Sequence, residues 1–281
     1  MTDPLAPSPL MAMLRYGLLS VLAFCVAAPL AWLCLASLSP QSEIFQPVSD
    51  FSWSGLIPSR LTLENYRALM QTDFPMAAKN SAIVALATVV CGLVVNAMAG
   101  FAFAAFDFRG KTLLFVLVVA SFMMPFEAIV LPLYVMIRAF GWVNSYQALI
   151  VPEIANGMII FLFRQFFASI PKDYYEAARI DGASWGYIFL RIALPLSWPT
   201  VATASLMLFL AQWDSFFWPV VAASDPDYAV IQVAIARNIN FEQTNWGGLF
   251  SSTNLAIVLG TIPFLLTQRL YVRSLVAGGI K

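Results

Sequence analysis

Between Glu176 and Pro195 the sequence holds a short charged island between apolar stretches: Glu176-Ala177-Ala178-Arg179-Ile180-Asp181-Gly182, nine further residues, then Ile192-Ala193-Leu194-Pro195. These residue types suit docking rather than bond making. The small side chains of Ala177 and Ala178 let a short helix approach a partner surface closely, and Gly182 permits a tight turn at its end. Glu176 and Asp181 offer charge to that partner, and Leu194 and Pro195 close the segment. A second group is suited to recognition: Gln212, Trp213 and Asp214, followed by Phe216, Phe217 and Trp218. Carboxylate and amide groups beside aromatic faces match a hydroxyl-rich solute. Interhelical hydrogen bonding with aromatic packing is the other use of the same residues. Glu127 and Asn156, also set in apolar surroundings, join them as candidates for a solute path. A polar group in hydrocarbon costs several kcal/mol and therefore faces a cavity or a partner helix.

Several chemistries are excluded. The chain has no histidine, so the commonest general base and the usual nucleophile pairs are missing. No catalytic residue is assigned. The three cysteines, Cys25, Cys34 and Cys91, fall in apolar stretches and read as buried small hydrophobes rather than a disulfide or metal set. No phosphate-cradling glycine loop precedes a helix; Gly278-Gly279-Ile280-Lys281 stands at the C-terminus. The formal net charge of +0 is an average over two unlike faces, and nothing in it suggests nucleic acid.

Composition requires a membrane. Hydrophobic residues make up 60% of the chain and charged residues 11%, far from a water-facing surface of about 25–35% charge. Mean hydropathy is +0.79. Apolar stretches run from Tyr16 to Leu38, Ser81 to Phe106, Thr112 to Ile137, Gln147 to Phe167, Trp198 to Ala223 and Leu249 to Leu270. Each is near the roughly 20 residues that cross a bilayer as a helix. The expected fold is all-α with six spans, in a single transmembrane domain over 1–281. The third span should kink between Pro125 and Pro132, and the fourth should be interrupted by Pro152, Glu153, Asn156 and Gly157. With the N-terminus inside, ten of the fifteen Lys and Arg residues lie on the cytoplasmic side, so both termini are expected there. The first apolar stretch lacks a basic lead and is read as a retained helix.

The charged island resembles the Glu-Ala-Ala loop of the membrane subunits of ATP-binding-cassette importers, in the two alanines, the glycine spacing and the closing Ile-x-Leu-Pro. Similarity to the maltose-type branch extends further. It includes Leu61 to Tyr66, Pro125-Phe126-Glu127, Pro132-Leu133-Tyr134, Arg164 to Phe167, Trp213 to Pro219 and the tail from Gln268 to Lys281. The resemblance implies a type I importer permease of an inner membrane, with a cytoplasmic coupling loop over 172–196. It also implies a second homologous permease, a dimer of ATP-binding subunits, an extracytoplasmic solute-binding protein and surrounding lipid as partners. ATP and Mg would sit on the ATP-binding subunits, with no cofactor on this chain. Gly278, Gly279 and Lys281 would give a second contact with those subunits. The cargo implied is a carbohydrate or related polyhydroxylated solute. Asp214 stands where the family commonly has Asn, and Ser274 where it commonly has Gly, so the place of the aromatic cluster carries over and its chemistry does not.

The long segments from Ser39 to Ala78 and from Ser224 to Gly248 lie between spans. Thr62 is placed to cap a short helix, and Trp53, Tyr66, Tyr228 and Trp246 read either as interfacial anchors or as contacts for a binding protein. A self-powered secondary transporter or channel is the rival class and would carry charged relays in several spans; a membrane enzyme would need a convergent catalytic cluster. The charge asymmetry makes topology testable. In a cysteine-free background an impermeant external thiol reagent should label a cysteine near Asp227 and spare one near Lys281; the reverse pattern overturns the orientation.

Overall fold

The computed structural model describes residues 9–45, 58–239 and 244–278, with backbone alone beyond 268. Among them every regular element is helical. In chain order these are α1 (Pro9–Ser37), α2 (Glu64–Leu69), α3 (Phe74–Ala105), α4 (Lys111–Met123), α5 (Phe126–Ala139), α6 (Tyr146–Ile154), α7 (Gly157–Ser169) and α8 (Lys172–Ile180). There follow α9 (Trp185–Leu196), α10 (Trp198–Trp213), α11 (Phe217–Ala222), α12 (Ile231–Ala236) and α13 (Trp246–Gly278). Four stretches are long and apolar enough to span: Leu10–Ser37, Phe74–Ala105, Tyr146–Ser169 and Trp246–Leu266. Two bent pairs, α4 with α5 at 102° and α9 with α10 at 81°, bring the number to six if each pair is one span.

The bends differ from expectation in place. The third stretch breaks at Met124 and Pro125, both extended, while Pro132 lies inside α5. A residue before proline is pushed out of the helical region, so one Pro suffices to break the chain at its own start. The fifth stretch is not continuous to Ala223. It stops at Trp213, and Phe216 (φ −120°, ψ −56°) precedes a separate short α11. Pro219 has no N–H for the carbonyl of Ser215, so it favours a new first turn over a continuing helix. The expected interruption of the fourth stretch is present, at Ala155 and Asn156 between α6 and α7.

Two compact units form, one from residues 1–72 with 235–255, the other from 73–234 with 256–281. In the first, the Tyr66 hydroxyl lies 2.7 Å from Ser37 Oγ and accepts from Asn254 Nδ2 at 2.7 Å. Asn65 Nδ2 donates to the carbonyls of Ser37 and Ser39, and Thr62 Oγ1 accepts from the Glu64 N–H at the start of α2. Tyr66 is thus a packing anchor inside its unit. The Trp246 ring meets Phe45 edge-on at 4.8 Å, and Trp53 lies outside the described residues.

In the second unit α3 is the central post. Gly100 is where α7 comes closest: a Cβ there would lie 2.5 Å from Phe163 Cβ and 2.9 Å from the Arg164 nitrogen. The small-residue face around Ala97 and Gly100 therefore meets a helix of this chain. Two fully buried asparagines bind the rest to α3. Asn80 Nδ2 donates to the carbonyls of Asp227 and Ala229, and its Oδ1 accepts from the Tyr146 hydroxyl at 2.7 Å. Asn96 Nδ2 donates to the carbonyls of Gly92 and Ile154 at 2.7 and 2.8 Å, and its Oδ1 accepts from the Asn156 N–H at 2.8 Å. The cysteines depart from expectation: Cys25, Cys34 and Cys91 are all exposed on the surface of the chain, because the apolar surroundings that suggested burial are in part a lipid-facing or partner-facing exterior.

Asn96→Leu removes partners from both sides of the α6–α7 break, leaving a carbonyl and an amide unsatisfied at a cost of about 2–4 kcal/mol. Asn156→Ala removes only a cap, worth about 1 kcal/mol. The melting temperature of the detergent-purified chain should fall in both and more in Asn96→Leu; equal melting of Asn96→Leu and wild type would contradict this role.

Candidate functional site

The island found in the sequence folds as helix, turn and helix. Asp173 in the first turn of α8 and Arg179 in the last complement the helix dipole. Gly182 follows the end of the helix at φ +82°. The Gly182 N–H donates to the Arg179 carbonyl at 3.1 Å and the Ala183 N–H to the Ala178 carbonyl at 2.9 Å, the paired closure of a Schellman turn. Among the described residues, nothing beyond its chain neighbours lies within 4 Å of where a Gly182 Cβ would be. Its requirement for glycine is therefore one of backbone conformation, not of space. Arg179 Nη1 donates to the Ala183 carbonyl at 2.8 Å, and its guanidinium lies 5.4 Å from the Trp185 ring centre. Ser184 Oγ accepts from the Tyr187 N–H and caps α9. A π-helical stretch over Phe189–Ala193 then leads to Leu194 and Pro195.

One side of this element is bolted down. Phe101 on α3 meets Phe167, Tyr175, Trp185 and Phe189 with ring centres 5.3–6.4 Å apart. Ile188 and Ala193 have no exposed surface. The Tyr175 hydroxyl donates to the Phe167 carbonyl at 3.3 Å, and burial pushes its phenol up to about 12. The other side is open. Glu176, Ala177, Asp181, Gly182 and Pro195 are exposed, while Ala178 and Leu194 are half-buried against the aromatic cluster. Beside them a depression of about 560 Å³ is lined by Ala178, Asp181, Gly182, Ala183, Ser184 and Tyr187. Sequence reasoning missed the apolar part of this face. Ile180 is 86% exposed, and Tyr187 and Leu190 stand at 56% and 60%. Spacing was the available signal: Ile180 lies on the side of α8 away from Tyr175, and an isoleucine at the polar end of a short amphipathic helix needs a partner.

The solute-path candidates are not brought together as one cluster. Trp213 is buried, donates to the Ala256 carbonyl at 3.2 Å, stacks on Phe209 at 5.4 Å and fills the space beside Gly260. Trp218 is buried and donates to the Ala148 carbonyl at 2.9 Å. These two rings are packing groups. Asp214 and Phe217 are exposed, as is Glu127, and the Phe126 ring meets Phe217 edge-on at 6.3 Å. Gln212 is buried, with 9% exposed. Asn156 is half-buried, and its Oδ1 accepts from the N–H groups of Met158 and Ile159 at the start of α7. In the tail, Gly278 ends α13, and Gly279 and Lys281 lie outside the described residues. Among the described residues no group of acidic, His or Cys side chains could hold a metal ion.

Comparisons with known proteins agree on what this architecture is. A permease of an arabinooligosaccharide transport system from Halalkalibacterium halodurans is 32% identical over 98% of this chain and 98% of its own. A permease of an sn-glycerol-3-phosphate transport system from Brucella suis is 30% identical over 89% of this chain and 91% of its own. The crystal structure of a bacterial ABC transporter involved in the import of the acidic polysaccharide alginate contains a chain that superposes with a TM-score of 0.82. That match has 20% identity and covers 95% of this chain and 99% of that one, so the fold is shared. Residues 97–276, which include the α8–α9 element and its aromatic seat, match the family of binding-protein-dependent transport system inner membrane components, and to that family of multi-pass permeases this chain belongs.

Proposed function

We propose that this permease works in an ATP-driven importer that carries a carbohydrate or related polyhydroxylated solute inward. It pairs with a second homologous permease, receives solute from an extracytoplasmic binding protein, and draws energy from a dimer of ATP-binding subunits that hold ATP and Mg. The chain itself performs no catalysis and binds no cofactor. Both termini and the α8–α9 element face the cytoplasm. The cargo class rests on the relatives, whose names specify arabinooligosaccharides, sn-glycerol 3-phosphate and alginate.

The observation that carries this reading is the two-sided build of α8–α9, with one face fixed to α3 and α7 by aromatic packing and the other bare. Glu176, Ala177, Ile180, Asp181 and Gly182 dock into the ATP-binding subunit, Leu194 and Pro195 shape the return, and the Gly278 to Lys281 tail adds a second contact. When the nucleotide-binding dimer closes, the loop moves with it, and the spans swing between inward-open and outward-open states. Glu127, Asp214 and Phe217, exposed on the chain, are the solute-path candidates free to touch cargo. Gln212 is buried, while Trp213 and Asn156 are committed to packing and capping.

Two substitutions test the docking face in the whole reconstituted complex. Gly182→Val forces a β-branched residue to φ +82° and should cut ATP-driven uptake by about tenfold or more while ATP hydrolysis persists, whereas Gly182→Asn, which tolerates left-handed backbone, should keep most uptake. Wild-type uptake in Gly182→Val would remove the coupling role. Ile180→Asp, at a position that is 86% exposed, should leave the chain's melting unchanged and release the ATP-binding subunits during purification.

A further inference from the structure

Polar side chains inside the second unit divide sharply by whether they are satisfied. Asn80 and Asn96 each use both amide hydrogens and Oδ1 on backbone or tyrosine partners, and Ser81 Oγ accepts from the Ile231 N–H. Thr88, with no exposed surface, has a buried Oγ1 without any hydrogen-bond partner, and among the described residues it is the one such side-chain atom. A helical threonine ordinarily answers this by bonding the carbonyl four residues back. Two further side chains lack partners among the described residues: half-buried Glu153, which makes no hydrogen bond or ion pair, and the carboxamide of buried Gln212.

These three groups come from three helices that pack together at Gly92 of α3. A Cβ on Gly92 of α3 would lie 3.1 Å from Leu208 Cδ1 of α10 and 3.3 Å from the Ile154 carbonyl of α6. Thr88 is one turn from Gly92 along α3. Glu153 adjoins Ile154. Val201 and Ala97 line one depression and Leu208 packs at Gly92, an order that runs α10 antiparallel to α3 and carries Gln212, one turn beyond Leu208, toward the Thr88 end of α3. A carboxylate that is only half-buried and has no partner cannot face hydrocarbon, where its charge is prohibitively costly, so its open side faces water, cargo or a partner helix. Together the three offer carboxylate acceptors, an amide that both donates and accepts, and a hydroxyl, which is the complement of adjacent sugar hydroxyls.

We propose that Thr88, Glu153 and Gln212 form a hydroxyl-binding subsite on this subunit's own helices, closed in the present conformation and opened as α6 moves about the Ala155–Asn156 break. It rests on the importer reading above and adds a recognition site distinct from Asp214 and Glu127.

Thr88→Val and Glu153→Gln test it, because loss of an unsatisfied hydroxyl or of an unpaired charge should leave the fold as stable as wild type or more so. In proteoliposomes holding the whole complex, with arabinotriose, lactose and sn-glycerol 3-phosphate as probes, uptake of whichever probe the wild type carries should fall about tenfold or more in both variants. Melting should be equal or higher. Glu153→Cys in a background without Cys25, Cys34 and Cys91 should react with an impermeant thiol reagent, in the nucleotide-free or the vanadate-trapped state, and a carried probe should slow the reaction. Undiminished uptake in both variants, or no labelling at 153 in either state, overturns the subsite. If the wild type carries none of the three probes yet position 153 labels, the polyhydroxylated cargo fails and the hydroxyl assignment with it, while a wild type that carries one and a 153 that stays unlabelled fails the subsite alone.

Discussion

Every break in a helix within the apolar layer strands backbone groups that water cannot reach, and the second unit depends on how those groups are satisfied. Asn96 is the main answer. Its one carboxamide ties the Ile154 carbonyl at the end of α6, the Asn156 amide at the start of α7 and its own helix, so the break is a defined joint rather than a frayed gap. Asn80 does the same for the segment after Asp225 that re-enters toward α12. Because both asparagines are on α3, the irregular parts of two other segments are referenced to a single helix.

In the proposed coupling, that arrangement links a surface loop to distant spans. The α8–α9 element is joined to α3 by rings around Phe101 and to α7 through Phe167, and both helices are locked together where Gly100 admits Phe163. Close-packed interiors pass displacement on with little give. In the coupling proposed above, force on Ile180 or Asp181 reaches α3 and α7 through these packed rings.

What was legible in the sequence were the features that one dimension records. The spacing of Glu176 to Gly182 gave the turn, and apolar runs gave the spans, since crossing length and turn backbone are local properties. Direction around a helix was not legible. Inside a bilayer the lipid-facing side is as apolar as the protein-facing side, so hydropathy says nothing about which way a residue turns. That is why Cys25, Cys34 and Cys91 read as buried but are exposed, and why Trp213 and Asp214, adjacent in sequence, separate into a packing ring and an exposed carboxylate. The kink fell at Pro125 and not at Pro132 for a related reason. A proline within α5 loses one bond that packing tolerates, whereas Met124 before Pro125 is driven to an extended conformation whatever surrounds it.

Polarity in a span is thus an ambiguous sign until its partners are known. Glu127, Asn156, Gln212 and Asp214 looked equivalent as polar residues in apolar runs, yet the helix breaks consume some polar groups and leave others. Asn156 caps α7 and also receives Asn96, so its chemistry is committed to the backbone. A group whose hydrogen bonds are all made cannot recognise a solute without first releasing what it holds. Saturation, rather than polarity, separates scaffold from recognition in this permease: Asn80 and Asn96 of α3 are committed to the backbone of other segments, whereas Thr88 on the same helix is not.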